Sequence, residues 1–418
     1  MSPKKSGKFM VSLVLVIVFC LLLISGGCSD SSNDGGSGVN IYAGKLVNAD
    51  LSKEFTAQQV ADVIRKGFSN IPGIDVSEMI ATSNAVKAYS IEYYTKDING
   101  ELIVLSGLVA FPSPADGEYP VVQYHHGTQF NNQDVPSNPN DSNHSQEAAG
   151  CMAVFAGHGY ITSMPDYIGQ GKSKVKHPYL HIESEATSEA DMLKAVKELC
   201  DELMVTSNSK LFILGLSQGG QATMALQKHL ETVNSEQPFN LTASTPIAGP
   251  YDLPKAWNAW FNNPPGCSPL ATHLTLAYRY IYGFKDTLSE LFLPPYDSQV
   301  LSIDDGTHNG DEMYKMLPKT LEGLLQPDFI NEVNAKTHPF YDAMEDNIID
   351  NFAPISPTRL YHGKDDELLP YSFSVDSCIK MKDLGAVDIE VVDVGSNYSH
   401  VESFVPSVIR AKFWFDTF

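Results

Sequence analysis

The sequence predicts an α/β fold: a mostly parallel central sheet flanked by helices on both faces, carrying a helical insertion. Three observations predict it. Between residues 119 and 249, short apolar runs of strand composition alternate with amphipathic runs of helical length. One apolar run, 211–214, ends abruptly on Gly215-Leu216-Ser217-Gln218-Gly219 and passes straight into a helical pattern. The alternation then lapses between about Tyr251 and Ile355, a stretch rich in proline and aromatics with no clear strand, and resumes afterwards.

The elements follow in order. Lys4, Lys5 and Lys8 precede an apolar run from Phe9 to Ile24, then Ser25, Gly26 and Gly27. That layout predicts an export signal over 1–27; a single-pass anchor is the other reading of so apolar a run. Gly26-Gly27-Cys28 resembles the lipobox of bacterial lipoproteins, with Ser25 where such boxes usually carry leucine. The resemblance implies lipid attachment at Cys28, a cell-envelope location and a membrane association through that anchor alone; a periplasmic or secreted protein is the alternative. The polar stretch over 28–40 reads as a flexible tether. Residues 52–67 are expected as an amphipathic helix stopped by Gly67. Strands over 86–95 and 101–111 flank Asn99-Gly100, a hairpin signal. A strand over 119–127, a helix over 146–158, a strand over 160–167, a helix over 187–204, a strand over 210–216, a helix over 218–232 and a strand over 241–249 come next. After the insertion, strands over 358–363 and 387–395 alternate with helices over 373–383 and 401–416. The domain reading is therefore a core over 41–253 and 356–418, interrupted by a helical cap over 254–355.

Charge narrows the function. The chain has 28 basic and 50 acidic residues, a formal net charge of -22. Such a balance argues against nucleic acid or an anionic membrane surface as a direct partner. It leaves neutral ester substrates open. Cys151, Cys200, Cys267 and Cys378 remain after the signal and Cys28 are set aside. In an exported chain they allow two disulfides or four buried thiols, and spacing does not choose. No close Cys-x-x-Cys pair suggests zinc.

The junction at Ser217 carries the chemistry. Gly-x-Ser-x-Gly between a strand and a helix demands a turn so tight that a side chain two positions either side of the serine would strike backbone. The serine is forced into a strained conformation that lifts its hydroxyl above the sheet. The helix N-terminus behind it aims the Gln218 amide where an oxyanion would form. A serine needs a base, and the base a carboxylate. In the order serine, acid, histidine, His400 is the histidine that follows the last strand, just before the final helix. Asp366, in His362-Gly-x-x-Asp after the preceding strand, is the acid, with Asp365 its rival. The loop after the third strand, His126-Gly127-Thr128-Gln129, offers a second oxyanion amide from Thr128, or from Gln129.

Over about residues 86–418 the chain resembles the α/β-hydrolase superfamily. Its Asp166-Tyr167-x-Gly169-x-Gly171 segment, "KHPYLH", "GLSQGG" and "AGPYDL" are similar to those of bacterial secreted lipases and esterases with a Gly-x-Ser-Gln-Gly elbow. The resemblance implies serine carboxylester hydrolysis through an acyl-enzyme, with no metal or organic cofactor. Leu216 departs from the His or Tyr common before the serine in such relatives, which bears on acyl preference. A serine peptidase, an acyltransferase, or a ligand-binding lipoprotein on a retired hydrolase fold are the competing readings. Gly171-Lys172-Ser173 resembles the tail of a phosphate-binding loop, but Asp166 stands where its first glycine belongs. His125 and His126 point to opposite faces of a strand, and Pro178 interrupts His177 and His181, so all four read as structural. The aromatics of the insertion, among them Trp257, Trp260 and Tyr278, are expected to divide between packing and an acyl pocket.

Overall fold

The computed structural model describes residues 42–138, 145–233, 236–262 and 267–418. The expected signal, tether and Cys28 lie outside them. The strands are β1 (Leu46–Phe55), β2 (Ala85–Lys96), β3 (Leu102–Ser113), β4 (Glu118–His125), β5 (Ile161–Pro165), β6 (Thr206–Leu216), β7 (Asn240–Ile247), β8 (Thr358–His362) and β9 (Ile389–Asp393). The helices before the insertion are α1 (Ala57–Gly67), α2 (Ser77–Thr82), α3 (Ser145–Val154), α4 (Ile182–Leu203) and α5 (Gln218–Thr232). The insertion holds α6 (Leu253–Asn262), α7 (Ser268–Tyr282), α8 (Leu288–Leu291), α9 (Tyr296–Ile303), α10 (Gly310–Met316), α11 (Pro327–Asn334) and α12 (Pro339–Asp346). After it come α13 (Tyr371–Asp383) and α14 (Phe404–Phe415).

The described strands form one nine-stranded sheet in the order β1-β2-β3-β5-β4-β6-β7-β8-β9. β1, β2 and β3 pair antiparallel, as do β3 and β5; from β5 onward every pairing is parallel. Asn99-Gly100 makes the expected β2–β3 turn, with Lys96 opposite Leu102 and Gly100 at φ 80°. Two expected elements differ. The expected helix over 52–67 begins only at Ala57, and residues up to Phe55 belong to β1. β1 is an edge strand whose residues are largely exposed, so it lacks the period-2 pattern that betrays a half-buried strand. Thr56 then closes a capping box with Gln59 and starts α1. The expected helix over 146–158 also splits, into α3 and a separate 3₁₀ turn over Ala156–His158.

Alternation along β6 shows how the layers form. Phe212, Leu214 and Leu216 pack on one face with Ile64 of α1, Cys151 of α3 and Val408 of α14. Leu211 and Ile213 pack on the other with Met192 and Val196 of α4. Burying such side chains contributes about 1.5–3 kcal/mol apiece. The insertion builds a third cluster, centred on Trp257, Tyr278, Phe292 and Phe340. It is joined by Phe130, Tyr179 and Leu369, which come from loops beyond the carboxyl ends of the strands. That contact seats the insertion's helices over the carboxyl edge of the sheet, where ligands bind in open α/β sheets. Cys151, Cys200, Cys267 and Cys378 are buried, each in a different apolar cluster, and no disulfide joins them. Burial pushes the Cys200 thiol up to about 12.

Candidate active site

Ser217 stands between β6 and α5 with φ 59° and ψ −118°, outside the regions L residues prefer. Its N–H donates to the Ile247 carbonyl of β7 at 2.9 Å. The turn leaves no room for a side chain at its two flanking glycines. A Cβ on Gly219 would lie 1.9 Å from the His125 carbonyl oxygen, and one on Gly215 would lie 2.3 Å from the Gly219 carbonyl oxygen. Ser217 is thus held at a positive φ, with Gly215 and Gly219 two residues away on either side.

His400 precedes α14 and is buried; its Nδ1 lies 2.7 Å from Asp366 Oδ2. Asp366 sits beyond β8 and accepts four hydrogen bonds. Oδ1 takes the Leu368 and Leu369 N–H groups at 2.9 and 2.8 Å, and Oδ2 takes His400 and, at 3.0 Å, His362 Nε2. His362 Nε2 also lies 2.8 Å from the Leu369 carbonyl, which only accepts, so this nitrogen carries hydrogen and Nδ1 accepts from Ser374 at 2.7 Å. Burial pushes the Asp366 carboxyl up, but the two imidazoles outweigh it and hold it well below the usual range. Burial likewise depresses His400, yet Asp366, then Glu367 and Glu147, raise it above its ordinary value. Asp365 is exposed and accepts the Asn397 N–H at 2.9 Å, away from His400.

A cavity of about 210 Å³ joins these parts, with Ser217, His400, Thr128 and Gln129 in its wall. Trp260 and Leu270 of the insertion, with Tyr314, complete its apolar side. Neither the Gln218 nor the Thr128 backbone N–H donates to another described residue. The Thr128 hydroxyl pairs with Tyr179 at 2.8 Å. Tyr167, from the Asp166-Tyr167-x-Gly169-x-Gly171 segment, donates to the His126 carbonyl at 2.8 Å and braces the start of the loop carrying Thr128. Asp166 accepts from Ser106 at 2.6 Å and from the Ser137 N–H at 3.1 Å.

The elbow rests on a buried polar floor that sequence reasoning missed. The Gln218 side-chain amide reaches His177 Nε2 at 3.1 Å and Glu185 Oε1 at 3.2 Å. His177 Nδ1 lies 2.7 Å from the Ile168 carbonyl, so Nε2 is its accepting nitrogen. Burial drives His177 down to about 3 and Glu185 up to about 8. Beside them His125 Nε2 lies 3.5 Å from Glu189. Burial pushes His125 down to about 3 and Glu189 well up, so this contact is between neutral groups rather than ions. Glu185 and Glu189 are spaced i, i+4 on α4, and only that spacing marked them in the chain. His181 caps α4 by accepting from Ser184 N–H. Chemically, the arrangement presents a hydroxyl, an imidazole anchored on a carboxylate, and the Thr128 backbone to one cavity, with Gln218 opening α5 directly after Ser217.

No protein-family model matches the chain, and no curated protein does. Solved structures do. A protein from Legionella pneumophila assigned as a hydrolase is similar at 26% identity and TM-score 0.81, over 89% of this chain and 98% of its own. The rice cell wall degrading esterase LipA of Xanthomonas oryzae is similar at 22% identity and TM-score 0.76, over 89% and 95%. Lipase A of Candida antarctica in its closed state follows at 14% identity and TM-score 0.63, over 91% and 84%. With these similarities and its own mostly parallel nine-stranded sheet, the chain has the α/β-hydrolase fold.

Proposed function

We propose that the protein is a serine carboxylester hydrolase, an esterase or lipase that works through an acyl-enzyme. The observation that carries the reading is the shared cavity of Ser217 and His400, with His400 Nδ1 on Asp366. Ser217 Oγ attacks the ester carbonyl while His400 Nε2 takes its proton. Asp366 holds the Nδ1–H tautomer and stabilises the imidazolium. The amides of Gln218 and Thr128 receive the oxyanion. His400 then protonates the leaving alcohol, and a water activated by the same imidazole releases the acid and restores Ser217. The fold shared with an esterase and a lipase supports the same reading.

Helices within 254–355 serve as a cap, a reading supported by Trp260 and Leu270 in the cavity wall. Export and lipid anchoring at Cys28 rest on the N-terminal pattern of the sequence. The test is hydrolysis of p-nitrophenyl esters of increasing acyl length by protein truncated after the tether. We expect turnover that falls by at least about 10³-fold in Ser217→Ala. Equal rates for the two proteins would overturn the assignment of Ser217.

A further inference from the structure

A second carboxylate faces the same cavity. Glu147, in the first turn of α3, lines it together with Ser217 and His400. Its Oε2 is committed: it accepts the Tyr124 hydroxyl at 2.6 Å and the Gly127 N–H at 3.2 Å. Its Oε1 takes no hydrogen bond from the described residues, and it is not among the buried atoms left without a partner. None of the described residues therefore seals Oε1, and Glu147 lines the cavity. The separation from the reacting serine is short. A Cβ built on Gly127 would lie 3.6 Å from Glu147 Oε1 and 4.0 Å from Ser217 Cβ, so the two side chains flank one backbone position.

No lysine or arginine lines the cavity among the described residues, and the carboxylates that raise His400 most are Asp366, Glu367 and Glu147 itself. Burial and Glu147 together hold the Tyr124 phenol well above its usual range, so it remains a donor to the carboxylate. A substrate group bound beside the scissile bond on the Gly127 side lies on the order of 6 Å from Oε1. We propose that Glu147 sets the charge selectivity of the site, admitting esters that are neutral or carry an ammonium group beside the scissile bond and rejecting those with a carboxylate there. The proposal rests on the hydrolase reading. A unit charge about 6 Å from Glu147, at an effective dielectric between about 40 and 20, changes kcat/KM by about ten- to a hundredfold.

The experiment uses three thiobutyrate esters of the same chain length: of choline-type thiol, of its neutral 3,3-dimethylbutyl isostere, and of 3-sulfanylpropanoate. Serine-dependent kcat/KM is taken against Ser217→Ala and normalised to the neutral ester. Wild type should disfavour the carboxylate ester by about tenfold or more. Glu147→Gln keeps an acceptor for Tyr124 and Gly127 but removes the charge. It should raise the carboxylate-to-neutral ratio and lower the ammonium-to-neutral ratio by similar factors. A wild-type enzyme that handles the carboxylate and neutral esters equally overturns the proposal without any variant, as do ratios unchanged in Glu147→Gln. Absence of turnover on every ester indicts the hydrolase reading instead. In that event the NMR titration of His400 decides, since its midpoint should fall in Glu147→Gln, and an unmoved midpoint overturns the role of Glu147.

Discussion

Replacing Asp366 by asparagine changes one atom and should disable the site. The carboxylate receives four donors: two backbone N–H groups at Oδ1, and the His400 and His362 imidazoles at Oδ2. An asparagine offers one oxygen. If that oxygen faces the backbone amides, its NH2 group confronts His362 Nε2–H, and His400 must switch tautomer to accept from it. Nε2 of His400 then carries the hydrogen and cannot take the proton of Ser217. Trapping the wrong tautomer costs about 10⁴ in kcat. If the amide is turned the other way, two buried backbone donors lose their acceptor, at about 1–3 kcal/mol each. That second orientation lowers stability by about 2–6 kcal/mol, because Asp366 is buried. The pH profile gives a second signature. His400 must be neutral to act as base, and its raised value puts the acid limb of wild-type kcat/KM above 6.5. Without the carboxylate, residual activity should keep its acid limb at lower pH. The assay is ester hydrolysis across pH with urea unfolding alongside, and Asp365→Asn as control. Asp365 is exposed and, among the described residues, accepts from the Asn397 N–H, so a change within a few-fold is expected there. Retention of more than about a tenth of wild-type kcat by a folded Asp366→Asn protein would refute the reasoning.

Two further perturbations test the elbow and its floor. Gly219→Ala places a methyl 1.9 Å from the His125 carbonyl oxygen, a backbone atom that cannot swing aside. It should cost about 1–3 kcal/mol, and by displacing the neighbouring Gln218 amide about a hundredfold in kcat; wild-type values of both would show that the turn has slack. Glu185 titrates near 8 in the fold against an ordinary 4.5, because burial disfavours its charge. The folded carboxyl therefore keeps a proton that the unfolded one has lost, and stability falls as pH rises from about 4.5 to about 8, in total by on the order of 5 kcal/mol. Glu185→Gln should leave stability near pH 4 little changed and raise it progressively toward pH 8, by thermal unfolding; an equal effect at both ends would exclude this titration.

The elements that were legible share a property: their signals are local. Gly215-Leu216-Ser217-Gln218-Gly219 announces its turn through steric demands within five residues, and the structure shows Ser217 at φ 59° there. The chain order of Ser217, Asp366 and His400 follows from strands that the buried apolar runs reveal. β1 was hidden because an exposed edge strand needs no apolar alternation, only a partner in β2. Glu147 was hidden because nothing in "SQEAAG" distinguishes a cavity carboxylate from a solvated helix start. His362 could be seen as a histidine at the end of a strand, but not as a second donor to the acid of His400.

By itself the sequence determined the layered α/β plan, the strained serine at the junction of β6 and α5, and the order of its chemical groups. These depend on backbone sterics and on burial patterns that repeat within a few residues. Only the tertiary structure decided between Asp365 and Asp366 as partner of His400, placed Glu147 beside Ser217, and put neutral Glu185 and His177 under Gln218. Asp366 and His400 lie 34 residues apart, and Gly127 and Glu147 lie 20 apart. Contacts at such separations are set by how helices and loops pack on the sheet, and burial there decides which groups keep their charge.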